Sequence, residues 1–207
     1  MRAYVDGLNL YHGLLKGKKN RRWLDLEALA SSLMPQGDLV GVRYFTARVK
    51  DFKGNGAPQR QDVYLQALAT LRRVSIHYGT FRVDPKMRKL TEPQPDGSEY
   101  VSVLIPEEKG SDVNLASYLL VDGFRDLYDI ALVVTNDSDL AEPVRLVGSE
   151  LGKSVVLAHP SQAAAGHLLR AGPSRVLRIH VNTILKSQLP DPVVRADGSP
   201  IHRPHAW

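Results

Sequence analysis

The chain reads as an α/β protein with a central, mostly parallel sheet covered on both faces by helices. Two observations predict this: continuous apolar strands such as Ile130 to Thr135 (IALVVT), and their alternation with amphipathic helical segments. A third is length, since 207 residues suit one domain with decorations, and 43% hydrophobic composition fills its core.

Arg2 to Val5 is a short apolar strand that breaks into a loop at Asp6-Gly7. Trp23 to Leu33 has apolar residues at helical spacing and is closed by Pro35 and Gly37. Trp23 reads as core or as a staple for that helix. Leu39 to Val49 reads as a strand, and Pro58 to Arg72 as a helix with Val63, Leu65, Leu68 and Leu71 inward. Val74 to Val83 is a strand continuing into an arm. Ser111 to Leu127 and Leu140 to Leu151 are helices. Ser154 to Ala158 is a strand, and a short one follows near Val176 to His180.

Two segments depart from the alternation. Residues 84–108 hold a Pro-Asp-Gly turn signal between polar and β-branched runs, which predicts a protruding β-hairpin. Residues 189–207 are rich in proline and polar side chains and read as a loosely ordered tail. There is no cysteine, which excludes disulfides and thiolate zinc sites. The N-terminus lacks the apolar run of a signal peptide, and no stretch approaches roughly 18 uninterrupted apolar residues. The expectation is a cytoplasmic protein with no membrane partner.

The formal net charge of +5 favours a polyanionic partner, yet the chain also carries an acidic constellation. Asp6 ends the first strand, and Asp137 and Asp139 lie just beyond IALVVT. In an open α/β sheet, ligands bind beyond the carboxyl ends of strands where strand order reverses. If these two strands are neighbours at that point, the carboxylates converge, and Asp112 at the start of a helix can reach the same crevice. Grouped carboxylates repel each other and any phosphate, and a hard divalent cation such as Mg2+ or Mn2+ relieves both repulsions. Each residue also has an ordinary structural reading. Asp6-Gly7 makes a turn, Ser111 or Asp112 caps a helix, and Asp139 caps the helix at Leu140.

The strings Asp6-Gly-Leu-Asn9-Leu10, Glu108-Lys-Gly-Ser-Asp112-Val113 and Val133-Val-Thr-Asn-Asp-Ser-Asp139-Leu140 together resemble the NYN domain family, in the LabA-like branch of the PIN-like nuclease superfamily. The similarity runs from about residue 1 to residue 160. It implies a three-layer α/β/α PIN-like, Rossmann-like fold in which residues 1–188 form a single domain with a hairpin insertion at about 80–108. It also implies metal-dependent endoribonuclease chemistry. Asp6, Asp112 and Asp137 would be metal ligands, with Asp139 a ligand or its orienter and Asn9 placing water or the scissile phosphate. The family's further aspartate on the helix after Asp112 is here Tyr118, with Asp122 one turn on as a substitute or a solvated residue. Its Ser-Gly-Asp-x-Asp-Phe string is here Thr-Asn-Asp-Ser-Asp-Leu.

Single-stranded or structured RNA is the expected partner. Lys16, Lys18, Lys19, Arg21 and Arg22 crowd one loop after Asn9, and Arg82, Lys86, Arg88 and Lys89 line the arm. The arm could equally serve a homodimer. A charge run also occurs as a plain solvated loop, and His12 reads as a loop histidine without a role. Two rival functions share these features. One is a non-catalytic RNA-binding or regulatory adaptor. The other is a metabolite phosphatase of the haloacid-dehalogenase type, which places Asp-x-Asp after the first strand; Leu8 stands at that second position here and argues against it.

Overall fold

The computed structural model describes residues 1–51 and 54–207. Seven strands form one sheet in the order β4-β3-β2-β1-β5-β6-β7. They are β1 (Arg2–Asp6), β2 (Gly41–Ala47), β3 (Val74–Lys89), β4 (Tyr100–Lys109), β5 (Ile130–Val134), β6 (Ser154–His159) and β7 (Arg175–Arg178). All neighbours are parallel except β3 and β4.

Side chains alternate across a strand, so a run buried on both faces must be apolar throughout. β1 and β5 show this directly. Ala3, Val5, Leu132 and Val134 join one core cluster, and Tyr4, Ala131 and Val133 join the other. Each fully buried Val or Leu contributes roughly 1.5–3 kcal/mol.

Among the described residues seven α-helices fill the outer layers: α1 (Gly7–Leu10), α2 (Leu26–Leu33), α3 (Ala57–Leu68), α4 (Ser111–Phe124), α5 (Ala141–Ser149), α6 (Gly166–Arg170) and α7 (Val181–Lys186). α2 begins at Asp25, whose carboxylate accepts hydrogen bonds from the Glu27 and Ala28 amides at 2.9 Å. It starts three residues later than its apolar spacing predicts, because Trp23 is buried beneath it and donates from Nε1 to the Pro190 carbonyl at 2.8 Å. α3 carries Pro58 in its first turn and stops at Leu68, with Leu71 packing just beyond its end. The sequence reading missed α1, α6 and α7, which are four to six residues long and too short for periodicity to register.

β3 runs for 16 residues and serves two structures. From Val74 to Gly79 it pairs in parallel with β2, and from Thr80 to Lys89 it pairs antiparallel with β4. The second half is the expected hairpin arm, roughly 30 Å long. It closes where Gly97, at φ 84°, donates to the Gln94 carbonyl at 2.9 Å.

The final segment corrects one expectation. Residues 189–207 pack on the domain, because Leu189, Val193 and Ile201 are buried among its prolines and polar residues. Strands β8 (Val193–Val194) and β9 (Pro200–Ile201) pair with each other, and the Trp207 ring stands 5.7 Å from Tyr64 and 6.4 Å from Trp23. Among the described residues no helix is long and apolar enough to cross a membrane.

Asp122 is 2% exposed on α4 and is gripped from the sheet. The Arg43 guanidinium donates to both carboxylate oxygens, at 2.8 Å from one terminal nitrogen, and the Tyr4 hydroxyl donates at 2.8 Å. Burial alone would raise the Asp122 carboxyl, but the bonds from Arg43 and Tyr4 overcome that and hold it below its ordinary range. Its stabilising effect is therefore present above the ordinary carboxylate pKa and is lost as pH falls through the depressed value. Asp122→Ala should lower unfolding stability in urea by about 3–5 kcal/mol, since it leaves the Arg43 charge buried without its partner. A loss below about 1 kcal/mol would show that this pair does not join α4 to the sheet.

Candidate functional site

Strand order runs outward from β1 toward β4 on one side and from β5 toward β7 on the other, so the reversal lies between β1 and β5. Their carboxyl ends carry Asp6 and the Thr135–Asp139 loop, as the sequence expectation required. Asp6 is 4% exposed. One of its oxygens accepts from the Asn9 amide at 2.9 Å and the other from the Thr135 hydroxyl at 2.9 Å. The Thr135 oxygen in turn accepts from the Asp137 amide at 3.0 Å, and Asp137 Oδ1 accepts from the Asp139 amide at 3.0 Å. Backbone and hydroxyl donors thus link three aspartates into one hydrogen-bonded series.

Asp112 stands in the first turn of α4, after Gly110 at φ 91°. Burial comes first among the causes that push its carboxyl up to about 6, followed by the charges of Asp6, Asp137, Glu108 and Asp139. Asp6, Asp137, Asp139 and Glu108 therefore all lie within electrostatic reach of Asp112. Asp6 is also raised, chiefly by burial and further by Asp137 and Glu108, against the lowering effect of its bonds from Asn9 and Thr135.

Glu108 is a fifth carboxylate that received no role from the sequence. It lies near the end of β4, and its Oε1 accepts from the Ser111 amide at 3.0 Å. Backbone crowding fixes it there: a Cβ on Gly79 would lie 2.7 Å from the Lys109 carbonyl and would collide with the Glu108 carboxylate. Its place in Glu108-Lys-Gly-Ser-Asp112 was the available signal.

Asn9 bridges two loops. Its side-chain oxygen accepts from the Asn136 amide at 2.9 Å, joining the β1 loop to the β5 loop. Asn136 was also missed, although it occupies the glycine position of the family string. Its side chain donates to Ser161 Oγ at 3.1 Å and the Ala163 carbonyl at 3.2 Å, and accepts from the Ala165 amide at 2.8 Å. It therefore locks the loop after β6 against the site.

Asp122 lies outside this group in its pair with Arg43, and Tyr118 stacks on that same guanidinium at 4.4 Å. Both side chains are thus engaged with Arg43.

Among the described residues no three His, Cys, Asp or Glu side chains are gathered tightly enough to hold a metal ion by themselves. The donor chemistry nevertheless suits a hard cation, because every group is an oxygen and Ser111 Oγ is buried without a partner among the described residues. A magnesium-like ion held by one or two carboxylates and otherwise by water fits such a loose set.

The basic residues divide. Lys16, Lys18 and Lys19 are exposed, while Arg21 and Arg22 donate at 3.3 Å to the carbonyls of Leu14 and Leu15, at the end of the π-helical turn Tyr11–Leu15. On the arm, Lys86 pairs with Glu107 and Lys89 with Glu99. Among the described residues Arg82 and Arg88 are the two expected arm cations without an ion-paired carboxylate.

No protein-family model matches the chain. It is 26% identical to a 6-hydroxy-3-succinoylpyridine 3-monooxygenase from Pseudomonas putida, over all of this chain and 74% of that protein. Its fold is similar to the crystal structure of a protein of unknown function from Vibrio parahaemolyticus. The TM-score is 0.54 at 14% identity, covering 87% of this chain and 93% of the other.

Asp112 gives a stability prediction. Because its folded pKa is raised, its favourable contribution is present below the ordinary carboxylate value and is lost as pH rises through about 6. Asp112→Asn should therefore raise Tm at pH 7.5 in EDTA by about 2–4 °C, equivalent to about 1 kcal/mol after allowance for solvent screening. The gain should fade as pH approaches 4. An unchanged Tm at pH 7.5 would mean that these carboxylates do not crowd one another.

Proposed function

We propose that this protein is a metal-dependent endoribonuclease of PIN-like fold, acting on single-stranded or structured RNA in the cytoplasm. The observation that carries the reading is the convergence of Asp6, Asp112, Asp137 and Asp139 on the strand-order reversal, within a chain of net charge +5. Glu108 belongs to the same acidic group.

Asp6, Asp112 and Asp137 would hold Mg2+ or Mn2+, with Asp139 and Glu108 reached through water. When bound, the ion supplies neutralisation of the phosphodiester charge and acidification of a water. The protein's own residues do the rest. Asp6 is oriented by Asn9 and Thr135 before any substrate arrives. The Asp112 carboxyl, pushed up to about 6 by burial and then by the neighbouring acids, marks the charge crowding that a cation would relieve. Lys16, Lys18 and Lys19 offer exposed phosphate contacts on the loop that follows Asn9.

A second reading is favoured by the alignment of all of this chain with 74% of the pyridine monooxygenase. Under it the chain would hydroxylate a small heteroaromatic substrate, consuming dioxygen and an external two-electron reductant.

The deciding experiment measures manganese-dependent cleavage of end-labelled RNA by wild type, Asp6→Asn and Asp137→Asn. Each substitution should slow cleavage by on the order of 10²-fold or more while the circular dichroism spectrum is retained. Equal rates in wild type and variants would remove the metal-site assignment. Salt-sensitive RNA binding without turnover would indicate the non-catalytic adaptor. Uptake of dioxygen that depends on 6-hydroxy-3-succinoylpyridine and reduced nicotinamide or flavin, with RNA left intact, would establish the second reading.

A further inference from the structure

Beside the acidic group lies a cavity of about 270 Å³ that none of the chemistry above uses. One wall is Gly7 and Leu8, the residues directly after Asp6. Aromatic rings supply much of the rest: Tyr11 from the π-helical turn, Tyr64 from α3, Phe81 from β3 and Trp207 from the last residue. Tyr44 closes the floor, where its ring would stand 2.7 Å from a Cβ on Gly7. Only a glycine lets α1 begin this close to that ring.

Two guanidiniums line the same space. Arg22 sits 6.0 Å from the Tyr11 ring centroid, held by one bond to the Leu15 carbonyl. Arg60 is held by the Asn55 carbonyl. Neither forms an ion pair with a carboxylate among the described residues. A guanidinium facing a largely apolar cavity lacks a counter-charge there, and planar anions match its fork of donors. Aromatic walls take a flat ring by stacking or edge contact. The volume lies at the small end of ligand pockets, which limits the occupant to one ring system.

We infer that this cavity binds one planar aromatic ring carrying an anionic arm, with the ring among Tyr11, Tyr64 and Trp207 and the arm at Arg22 and Arg60. Two sources share this chemistry: a nucleotide, whose base enters the cavity, and a free heteroaromatic carboxylic acid. The inference stands on the cavity alone and holds whether or not the acidic group cleaves RNA.

Binding can be measured by calorimetry and tryptophan fluorescence on the full chain in EDTA, which keeps metal out of the experiment. The probes are adenosine 5′-monophosphate, pyridine-3-carboxylate and ribose 5-phosphate. At least one aromatic anion should bind at least tenfold more tightly than ribose 5-phosphate, with a fluorescence change that disappears in Trp207→Phe. Arg22→Gln and Arg60→Gln should each weaken it about tenfold at unchanged Tm, and Tyr11→Leu should do so without altering charge. Preference for the nucleotide assigns the first source, and preference for the pyridine acid the second. Failure of both aromatic probes to bind, equal affinity for ribose 5-phosphate, or unchanged affinity in all three variants would overturn the inference. RNA cleavage by the same variants is read separately, so loss of one reading leaves the other measurable.

Discussion

Carboxylates set at the ends of adjacent strands repel one another, and the geometry around β1 and β5 is arranged to withstand that repulsion. Main-chain amides and one threonine hydroxyl do most of this work. Asp6 has both oxygens engaged, Asp137 is held through Thr135, and Asp139 through Asp137. These donors are neutral, so they orient the Asp6 and Asp137 carboxylates without cancelling their charge. Burial first, and then the charges of the neighbouring acids, hold the Asp112 proton to a higher pH than an ordinary aspartate would hold it. Such a site conserves negative potential for whatever cation or proton the chemistry requires.

The loops bearing these acids are tied to one another as well as to the strands. Asn9 reaches across to the Asn136 backbone, and the Asn136 side chain reaches on to the loop after β6. Three loops at one end of the sheet thereby become a single connected surface. On α4, one helix serves two charged systems of opposite purpose. Asp112 in its first turn has no ion-paired cation among the described residues, whereas Asp122 near its end is neutralised by Arg43.

Much of the fold was legible because β1, β5 and β6 are apolar on both faces, a pattern that surface elements do not produce. The hairpin was equally legible from Pro95, Asp96 and Gly97 between its strands. The tail was misread because composition averages over residues, and four apolar side chains spaced along 19 positions can anchor a segment whose mean character is polar. At the site, the aspartates stood out because their residue type is unusual after apolar strands. Glu108 and Asn136 did not, since their roles arise from contacts between segments distant in sequence. The aromatic cavity was invisible for the same reason: Tyr11, Tyr64, Phe81 and Trp207 come from four separate parts of the chain.

The handover in β3 has a mechanical side. A strand that belongs to the sheet up to Gly79 and to the arm from Thr80 is continuous and stiff along its length, and its return strand β4 ends beside Glu108 and the start of α4. The arm's base is thus built into the acidic group, with Gly79 as the tight fulcrum against Lys109. The last rungs of the arm, Phe81 with Glu108 and Thr80 with Lys109, thus lead within one turn of chain into the first turn of α4, where Asp112 stands.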